Sequence, residues 1–315
     1  MRIGVIGLGD IAQKAYLPVI AAMEDIQPVL CTRHRETLRR LAAKYRVAEA
    51  VQSVEELIGL NIDAAFIHSS TESHALIAEQ LLRSGIHVYI DKPISYDYEE
   101  SERLTALAEQ AGRILMVGFN RRFAPMVAAL EEQRDRHAIL LQKNRLFSPD
   151  FARRFIYDDF IHVVDTIRFL APGPITGEPR IYTRVREGKL VHTQLQLEGD
   201  GFICTGMMNR DSGVNDEIVE VMSPGNKWVV QGLNTTVHFS AGEERHHHFK
   251  DWDPVLFRRG FVQIVEHFIG CVRENRPPSI SLKDALESHW VCELIVRRAE
   301  AAGSLRLINR SRAGL

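Results

Sequence analysis

Residues 1–12 read MRIGVIGLGDIA, a short apolar run that enters a glycine-rich turn. Gly7, Gly9 and Ala12 form the pattern G-x-G-x-x-A directly after a predicted strand, Ile3–Ile6. In such a turn the first glycine allows a tight bend, the second lets the backbone approach a pyrophosphate, and a small third residue allows the helix to pack on the strand. The phosphates lie on the free N–H groups at the start of the helix. We therefore favour dinucleotide binding over a ligand-free strand-helix turn.

The alternation of strand and helix continues through the first 118 residues. The predicted strands that follow are Val29–Cys31, Asp63–Ile67, Ile86–Ile90 and Ile114–Val117. The predicted helices are Asp10–Met23, Arg35–Tyr45, a short helix opened by the capping pattern of Ser53 and Glu56, Glu72–Ser84 and Tyr98–Ala111. The strands are continuous apolar runs, which is typical of strands buried on both faces. The pattern predicts a Rossmann-like α/β domain, residues 1–118, with a doubly wound parallel sheet.

The second part of the chain changes to a period of two. Val191, Thr193, Leu195 and Leu197 alternate with polar residues, which indicates a half-exposed antiparallel strand. Further predicted strands are Gly201–Met208, Glu217–Met222, Trp228–Gln231 and Thr235–Phe239, and two closing helices are Val255–Arg273 and Leu282–Ala301. Residues 119–315 are therefore predicted to form an α+β domain with a large, mainly antiparallel sheet.

The composition is that of an ordinary globular protein, since 45% of the 315 residues are hydrophobic and 25% are charged. The 39 basic and 41 acidic side chains give a net charge of -2, which argues against a nucleic-acid-binding protein. No apolar run reaches the length of about 18 residues that a transmembrane helix needs, so we expect no membrane partner. Four cysteines without a C-x-x-C pair are typical of buried thiols, and we expect a cytoplasmic protein.

Three adjacent histidines, His246–His248, with Asp251 close behind, invite a metal-binding interpretation. Adjacent side chains on a strand point to opposite faces, so three histidines in a row form a poor ligand set. We therefore predict no metal site.

The end of the second predicted strand bears on the choice of dinucleotide. An NAD site usually has a carboxylate there, which binds the ribose 2′-hydroxyl. This chain has Thr32, which can form a hydrogen bond, and Arg33, which can pair with a 2′-phosphate. The sequence thus favours NADP over NAD. The alternative is that Arg33 belongs, with the other arginines of Arg33–Arg40, to a solvated helix face.

A second candidate motif, Asp91-Lys92-Pro93, stands at the end of the predicted strand Ile86–Ile90. In open α/β sheets, ligands bind beyond the carboxyl ends of the strands. Lys92 can therefore reach a cofactor ribose and a substrate oxygen together. The alternative is an exposed lysine in a strand-helix loop.

A third candidate motif contains Asp158, His162 and Asp165 within an apolar helical segment. Asp158 and His162 are four residues apart, so they share one face of an α-helix. A carboxylate beside a histidine orients the ring and favours its charged form, which is the arrangement of a general acid/base with its partner. The alternative is a helix-capping aspartate and a buried histidine of the core.

The three motifs, in this order, resemble the Gfo/Idh/MocA family of nicotinamide-dependent oxidoreductases. MVGFNRRFAP at residues 116–125 is similar to the segment that joins the two domains of that family. HSSTESH at residues 68–74 resembles its T-P-x-x-x-H loop, and residues 258–268 resemble its penultimate helix. The resemblance covers nearly the whole chain and is greatest to the MviM-like branch.

The resemblance implies roles for individual residues. Lys92 matches the lysine that contacts substrate and nicotinamide ribose, His162 matches the catalytic histidine, and Asp158 matches the aspartate that holds it. With the glycine turn, the implied cofactor contacts are Gly7, Gly9, Asp10, Ile11, Ala12, Thr32, Arg33, Ser69, Ser70, His74, Asp91, Lys92, Asn120 and Arg121. The second domain is expected to bind a small-molecule substrate and to form a homodimer or homotetramer through its open-faced sheet.

Three departures from the family pattern qualify the substrate. Asp91 replaces the usual glutamate, and Ser69-Ser70 replaces a Thr-Pro pair that would stiffen the loop. Phe160 stands where the family often has glycine, which argues against a large polyol. The expected reaction is hydride transfer between NAD(P) and a small sugar- or polyol-like hydroxyl or carbonyl compound. The alternative function is a non-catalytic NADP-binding sensor or scaffold.

Overall fold

The computed structural model describes the backbone of residues 1–313 and the side chains of residues 1–302. The chain folds into two compact units. The first unit contains Met1–Asn120 and Gly260–Leu286, and the second contains Arg121–Arg259 and the chain from Glu287 onward.

A six-stranded parallel sheet forms the centre of the first unit, with strand order β3-β2-β1-β4-β5-β6. The strands are β1 (Arg2–Ile6), β2 (Gln27–Cys31), β3 (Glu49–Val51), β4 (Ala64–Ile67), β5 (His87–Ile90) and β6 (Leu115–Val117). The helices are a π-helical segment (Ala12–Tyr16) that continues into α1 (Leu17–Ile20), then α2 (Arg35–Tyr45), α3 (Val54–Gly59), α4 (Thr71–Arg83) and α5 (Tyr98–Ala111). This confirms the predicted doubly wound domain. The three-residue strand β3 was not predicted, because it is too short to show a period.

An eight-stranded sheet dominates the second unit, with strand order β14-β13-β12-β11-β7-β10-β9-β8. The strands are β7 (Ala138–Asn144), β8 (Arg180–Arg186), β9 (Lys189–Gly199), β10 (Phe202–Asn209), β11 (Asp216–Ser223), β12 (Asn226–Gln231), β13 (Thr235–Ser240) and β14 (Glu243–His248). Only β7 and β10 pair in parallel, so the prediction of a mainly antiparallel sheet is confirmed. The edge strand β14 was not predicted, because all its side chains are exposed and none alternates.

The remaining helices follow the sheet order along the chain. They are a 3-10 turn (Asn120–Phe123), α6 (Pro125–Glu131), α7 (Ala152–Arg154), a π-helical segment (Phe155–Phe160), α8 (Ile161–Leu170), α9 (Val255–Arg258), α10 (Phe261–Glu274) and α11 (Leu282–Ala313). Helix α8 packs closely on the sheet at Gly206 of β10, where an added Cβ would lie 2.6 Å from Val163 Cγ1. The opposite face of β10 is half-exposed, as the period of two requires.

Helix α10 belongs to the first unit because its apolar side chains pack on the rings there. Phe261 lies edge-on to Tyr16 at 5.3 Å between ring centroids, and Phe268 lies edge-on to Phe66 at 5.1 Å. The predicted cut at residue 118 therefore differs from the division by contacts, in which Gly260–Leu286 returns to the first unit. The predicted roles of the two domains stay predictions.

No helix in the part of the chain that the structure describes is long and apolar enough to cross a membrane. Within the same residues, no cluster of three or more His, Cys, Asp or Glu side chains is arranged to hold a metal ion. His246 instead pairs with Glu244 on the exposed strand β14, at 3.0 Å from Nε2 to Oε1.

Candidate active site

The glycine turn directly after β1 has two glycines with different surroundings. Gly7 has a φ of +82°, and an added Cβ would lie 2.3 Å from the backbone nitrogen of Ser69. A side chain is therefore excluded both by backbone conformation and by contact with the loop after β4. An added Cβ on Gly9 meets no atom within 4 Å, so this glycine borders open space. The turn thus leaves room for a ligand group against the backbone at Gly9.

A cleft of about 770 Å³ opens beside this turn, and all of its lining residues belong to the first unit. Its size is within the range of small-molecule sites, roughly 300–1,000 Å³. Six predicted cofactor contacts line it: Gly7, Gly9, Thr32, Arg33, Ser69 and Ser70. The structure therefore brings together the glycine turn, the end of β2 and the loop after β4. These residues fit a dinucleotide.

Several predicted contacts in the first unit are not among the lining residues of this cleft. Asp10 is exposed and pairs with Lys14 at 2.8 Å, and Ala12 is fully buried. Ile11 is 36% exposed. His74 is buried and joins two loops, because its Nδ1 lies 2.8 Å from the Pro93 carbonyl oxygen and its Nε2 lies 3.1 Å from that of Ser69. His74 thus links the loop after β4 to the loop after β5.

The end of β2 carries both signs of charge around the cleft. The Arg33 side chain is exposed, as the prediction of a 2′-phosphate contact requires, and its carbonyl oxygen accepts a hydrogen bond from Gln52 Nε2 at 3.3 Å. Glu55, at the start of α3, also lines the cleft and accepts from Gln80 Nε2 at 3.2 Å. Hydrogen bonds from its own backbone N–H and from Ser53 lower the pKa of Glu55. Sequence reasoning missed this carboxylate because it lies on another element.

Asp91 and Lys92 follow β5 and adjoin a buried polar chain. The backbone N–H of Lys92 donates to Asp91 Oδ1 at 3.0 Å. Burial raises the pKa of the Asp91 carboxyl, and the neighbouring Lys92 charge opposes that rise. The hydroxyls of Tyr16 and Tyr89 meet at 2.8 Å, and the Tyr16 hydroxyl also hydrogen-bonds Asp91. The two tyrosines were missed, because each reads as an apolar core residue in a strand-helix unit.

In the second unit, the ring of His162 contacts Arg121. His162 is 9% exposed, and Arg121 Nη1 lies 3.3 Å from its Nδ1 and 3.2 Å from its Nε2. Arg121 also donates to both carboxylate oxygens of Glu217, from Nε and Nη2, each at 3.1 Å. The structure therefore brings Arg121 and His162 together. Asn120, buried at 3% exposure, belongs to the first unit, and the division by contacts falls between the two residues.

The segment that contains Asp158 winds differently from the α-helix that was predicted. Asp158 lies in the π-helical segment and His162 lies in α8, so the turn between them is wider than the four-residue spacing assumes. The adjacent residue, Asp159, is the buried one of the pair. Its carboxylate meets Lys143 Nζ at 2.6 Å and Arg145 Nε at 2.8 Å. The proposed role of Asp158 beside His162 stays a prediction.

Lys143, Asp159 and Glu217 form a buried charge cluster with Arg121. Burial and the nearby Arg121 lower the pKa of Lys143 to about 8. Burial opposes ionisation of Glu217, but Arg121 and Lys143 outweigh it and lower the pKa of Glu217 to about 2. Sequence reasoning missed this cluster. A signal was available, since Lys143 interrupts an otherwise buried face of β7 and pairs in register with Glu217 of β11.

Comparisons with known proteins agree with the two units. Residues 1–119 match the model of the Gfo/Idh/MocA oxidoreductase family with an NAD-binding Rossmann fold, and residues 125–240 match the YceM-like C-terminal domain. YceM of Salmonella typhimurium, named for an oxidoreductase function, is 34% identical over 95% of this chain and 98% of its own length. Myo-inositol 2-dehydrogenase of Thermotoga maritima is 24% identical over 90% of this chain and 92% of its own length.

A solved structure of the dehydrogenase MviM from Clostridium difficile superposes with a TM-score of 0.89. It is 33% identical and covers 95% of this chain and 99% of its own. The resemblance drawn from the motifs is therefore confirmed at the level of family, branch and fold. On the similarity to YceM and the match of its Rossmann domain, the chain belongs to the Gfo/Idh/MocA family of oxidoreductases.

Proposed function

We propose that this protein is an NAD(P)-dependent dehydrogenase or reductase that acts on a CH–OH group or the corresponding carbonyl of a small sugar- or polyol-like compound. The observation that carries the proposal is the glycine turn that borders a cleft of about 770 Å³ in the NAD-binding domain of an oxidoreductase family. The similarity to myo-inositol 2-dehydrogenase supports a hydroxylated substrate.

His162 is the proposed acid/base. A guanidinium has only hydrogen-bond donors, so a ring nitrogen that accepts from Arg121 must carry a lone pair. Such a ring can take the proton of a substrate hydroxyl in the oxidation direction and return it in the reduction direction. Asp158 is proposed to orient the ring. Arg121 is itself held by Glu217, which fixes its guanidinium near His162.

Lys92 is proposed to stabilise the negative charge that develops on the substrate oxygen, which is an electrostatic role. When bound, the nicotinamide ring supplies the acceptor or donor of the hydride. Lys92 adjoins Asp91, whose buried carboxyl is hydrogen-bonded by Tyr16 and by the Lys92 backbone. That arrangement supports a defined position for the lysine rather than a free surface side chain.

NADP is proposed as the preferred cofactor, with NAD as the alternative. Thr32 and the exposed Arg33 stand where a 2′-phosphate is recognised, and no carboxylate follows β2 directly. Glu55 opposes this preference, because its negative charge also borders the cleft. A direct comparison of NADPH and NADH affinities therefore decides between them.

We also propose a cytoplasmic homo-oligomer that binds neither nucleic acid nor membrane. All four cysteines are buried free thiols, in keeping with a reducing compartment. The outer face of the second unit's sheet bears exposed apolar side chains, among them Leu140 at 39% and Tyr182 at 57% exposure. Cell fractionation tests the location, and light scattering of the purified protein tests the assembly.

The activity is tested by following nicotinamide absorbance with a panel of sugars, polyols, acidic sugars and keto compounds. We expect turnover with at least one compound. We expect His162→Ala to lower it at least about 100-fold while the dissociation constant for NADPH stays within twofold of wild type. His192→Ala, on β9, is the matched control and should keep full turnover. Tight NADPH binding without turnover on any compound would instead support the sensor function.

A further inference from the structure

His68, directly after β4, has a buried ring whose two nitrogens find no hydrogen-bond partner among the described residues. The residue is 3% exposed, and both Nδ1 and Nε2 are inaccessible to solvent. Leaving a buried polar group without a partner costs about 1–3 kcal/mol. Such groups are rare in folded proteins, and each one calls for a physical reason.

The surroundings of the ring keep it neutral. It stacks on Tyr16 at 4.0 Å between ring centroids, with Phe66 at 6.0 Å and Tyr89 at 6.2 Å. Burial, together with the charge of His74, lowers the pKa of His68 to about 3. At neutral pH the ring therefore has one N–H donor and one lone-pair acceptor. Its aromatic neighbours offer faces and edges for packing.

The position of His68 ties it to the dinucleotide cleft. His68 is one of the residues that line the cleft, and its backbone N–H donates to the Ile6 carbonyl oxygen at 2.8 Å. An added Cβ on Gly7 would lie 2.6 Å from the carbonyl carbon of His68, so the glycine turn rests against this residue. Tyr16, on which the ring stacks, lies in the helical segment that the same turn opens.

We propose that His68 is a contact for the bound nicotinamide dinucleotide, and that a ring nitrogen hydrogen-bonds a cofactor group able both to donate and to accept. The groups of that kind are the ribose hydroxyls and the nicotinamide carboxamide. This proposal rests on the proposed function. It explains why a histidine, and not an apolar residue, occupies a site that is otherwise aromatic and closed to water.

The test compares His68→Phe with wild type, because a phenyl ring keeps the stacking on Tyr16 and removes only the two nitrogens. We expect the dissociation constants for NADPH and NADH, measured by calorimetry, to rise three- to tenfold, which matches the loss of one hydrogen bond. We expect the melting temperature without cofactor to stay the same or rise, because the variant buries no unpartnered polar atom. His238→Phe, which removes a ring stacked on Trp228 in the second unit, is the control and should change neither dissociation constant.

ADP-ribose, which lacks the nicotinamide, separates the two kinds of cofactor group. An equal loss of ADP-ribose affinity in His68→Phe assigns the contact to a hydroxyl, and unchanged ADP-ribose affinity assigns it to the carboxamide. Unchanged affinity for every nucleotide overturns the proposal. If wild type binds no nicotinamide nucleotide at all, the proposed function itself fails.

A measurement on the wild-type protein covers the case in which His68→Phe does not fold. The ¹⁵N shifts of the His68 ring, observed by long-range proton-nitrogen correlation, should move when NADPH is added. Ring shifts that stay constant at saturating NADPH contradict the contact.

Discussion

At the scale of single residues, the charged side chains near His162 are buried in compensating pairs. Arg121 pairs with Glu217, and Lys143 pairs with Asp159, with side-chain exposures between 2% and 13%. Removing one partner of such a pair leaves an uncompensated buried charge and typically costs about 3–5 kcal/mol. The cluster therefore holds Arg121 beside His162 through groups that substrate does not need to touch.

The low pKa of Glu217 makes stability depend on acid pH. A carboxyl whose pKa falls from 4.5 unfolded to about 2 folded stabilises the protein fully above pH 4.5. That contribution is lost as pH falls from 4.5 toward 2, because the folded state then resists protonation that the unfolded state accepts. We expect Glu217→Gln to be less stable than wild type at pH 7 and to lose less stability across this window. Urea denaturation at pH 7, 4.5 and 3 measures both effects, and parallel curves for the two proteins would contradict the assignment.

The opposed charges at the end of β2 predict opposite shifts in cofactor preference. Arg33→Ala should weaken NADPH binding about tenfold or more and leave NADH binding nearly unchanged, because only NADPH carries the 2′-phosphate. Glu55→Gln should strengthen NADPH binding relative to NADH, because it removes a like charge. Arg39→Ala, farther along α2, is the control for general charge. Calorimetric titration of both nucleotides measures the ratio, and an Arg33 variant with an unchanged ratio would contradict the preference for NADP.

At the scale of elements, the turn between β1 and the following helix separates a folding role from a binding role. Gly7 is needed because the loop after β4 packs against it, whereas Gly9 is needed for nothing within the chain itself. The helix that follows opens with a π-helical segment, Ala12–Tyr16, and such segments are frequent at functional sites. One pattern of three small residues thus serves two different purposes.

Two glycine variants test this separation. Gly7→Ala should lower the free energy of unfolding by more than about 1 kcal/mol, because its φ is positive and its Cβ meets backbone atoms. Gly9→Val should unfold at the wild-type denaturant concentration but bind NADPH at least about tenfold more weakly, because the side chain occupies the space left for the phosphates. Denaturant unfolding and calorimetry on both variants give the four values. A Gly9 variant with normal affinity would show that phosphates do not approach the turn.

At the scale of the whole molecule, the sheet of the second unit has one covered face and one half-exposed face. Helix α8 covers the first face at β7 and β10. On the other face, Leu140, Val229 and Val237 fall in one row across β7, β12 and β13, with Glu220 of β11 between the first two. Half-exposed apolar rows of this kind are typical of surfaces that meet a partner.

The expected partner is a second copy of the chain. We predict that light scattering gives a dimer or tetramer mass for wild type. The double variant Leu140→Glu and Val229→Glu should give a monomer, because it buries like charges in the contact. His246→Glu, on the exposed edge strand β14, is the control and should keep the wild-type mass. A wild-type monomer at micromolar concentration, or an unchanged assembly in the double variant, contradicts the prediction.

The sequence by itself determined the features that depend on near neighbours. Apolar runs that alternate with amphipathic ones predicted the parallel sheet, and the period of two predicted the antiparallel one, because burial on one or two faces leaves a local pattern. The glycine turn was equally readable, since its conformation depends on residues in immediate succession. Strands β3 and β14 escaped, because one is too short and the other too exposed to carry a period.

Only the tertiary structure decided the contacts that join distant parts of the chain. Arg121 meets His162 across 41 residues and Glu217 across 96, and helix α10 returns to the first unit after the whole of the second sheet. Which of Asp158 and Asp159 is buried, and which histidine loses its hydrogen-bond partners, depends on how helices and loops pack on the sheets. Packing brings together residues whose separation in sequence carries no information about their distance, and the charge cluster and His68 became visible only there.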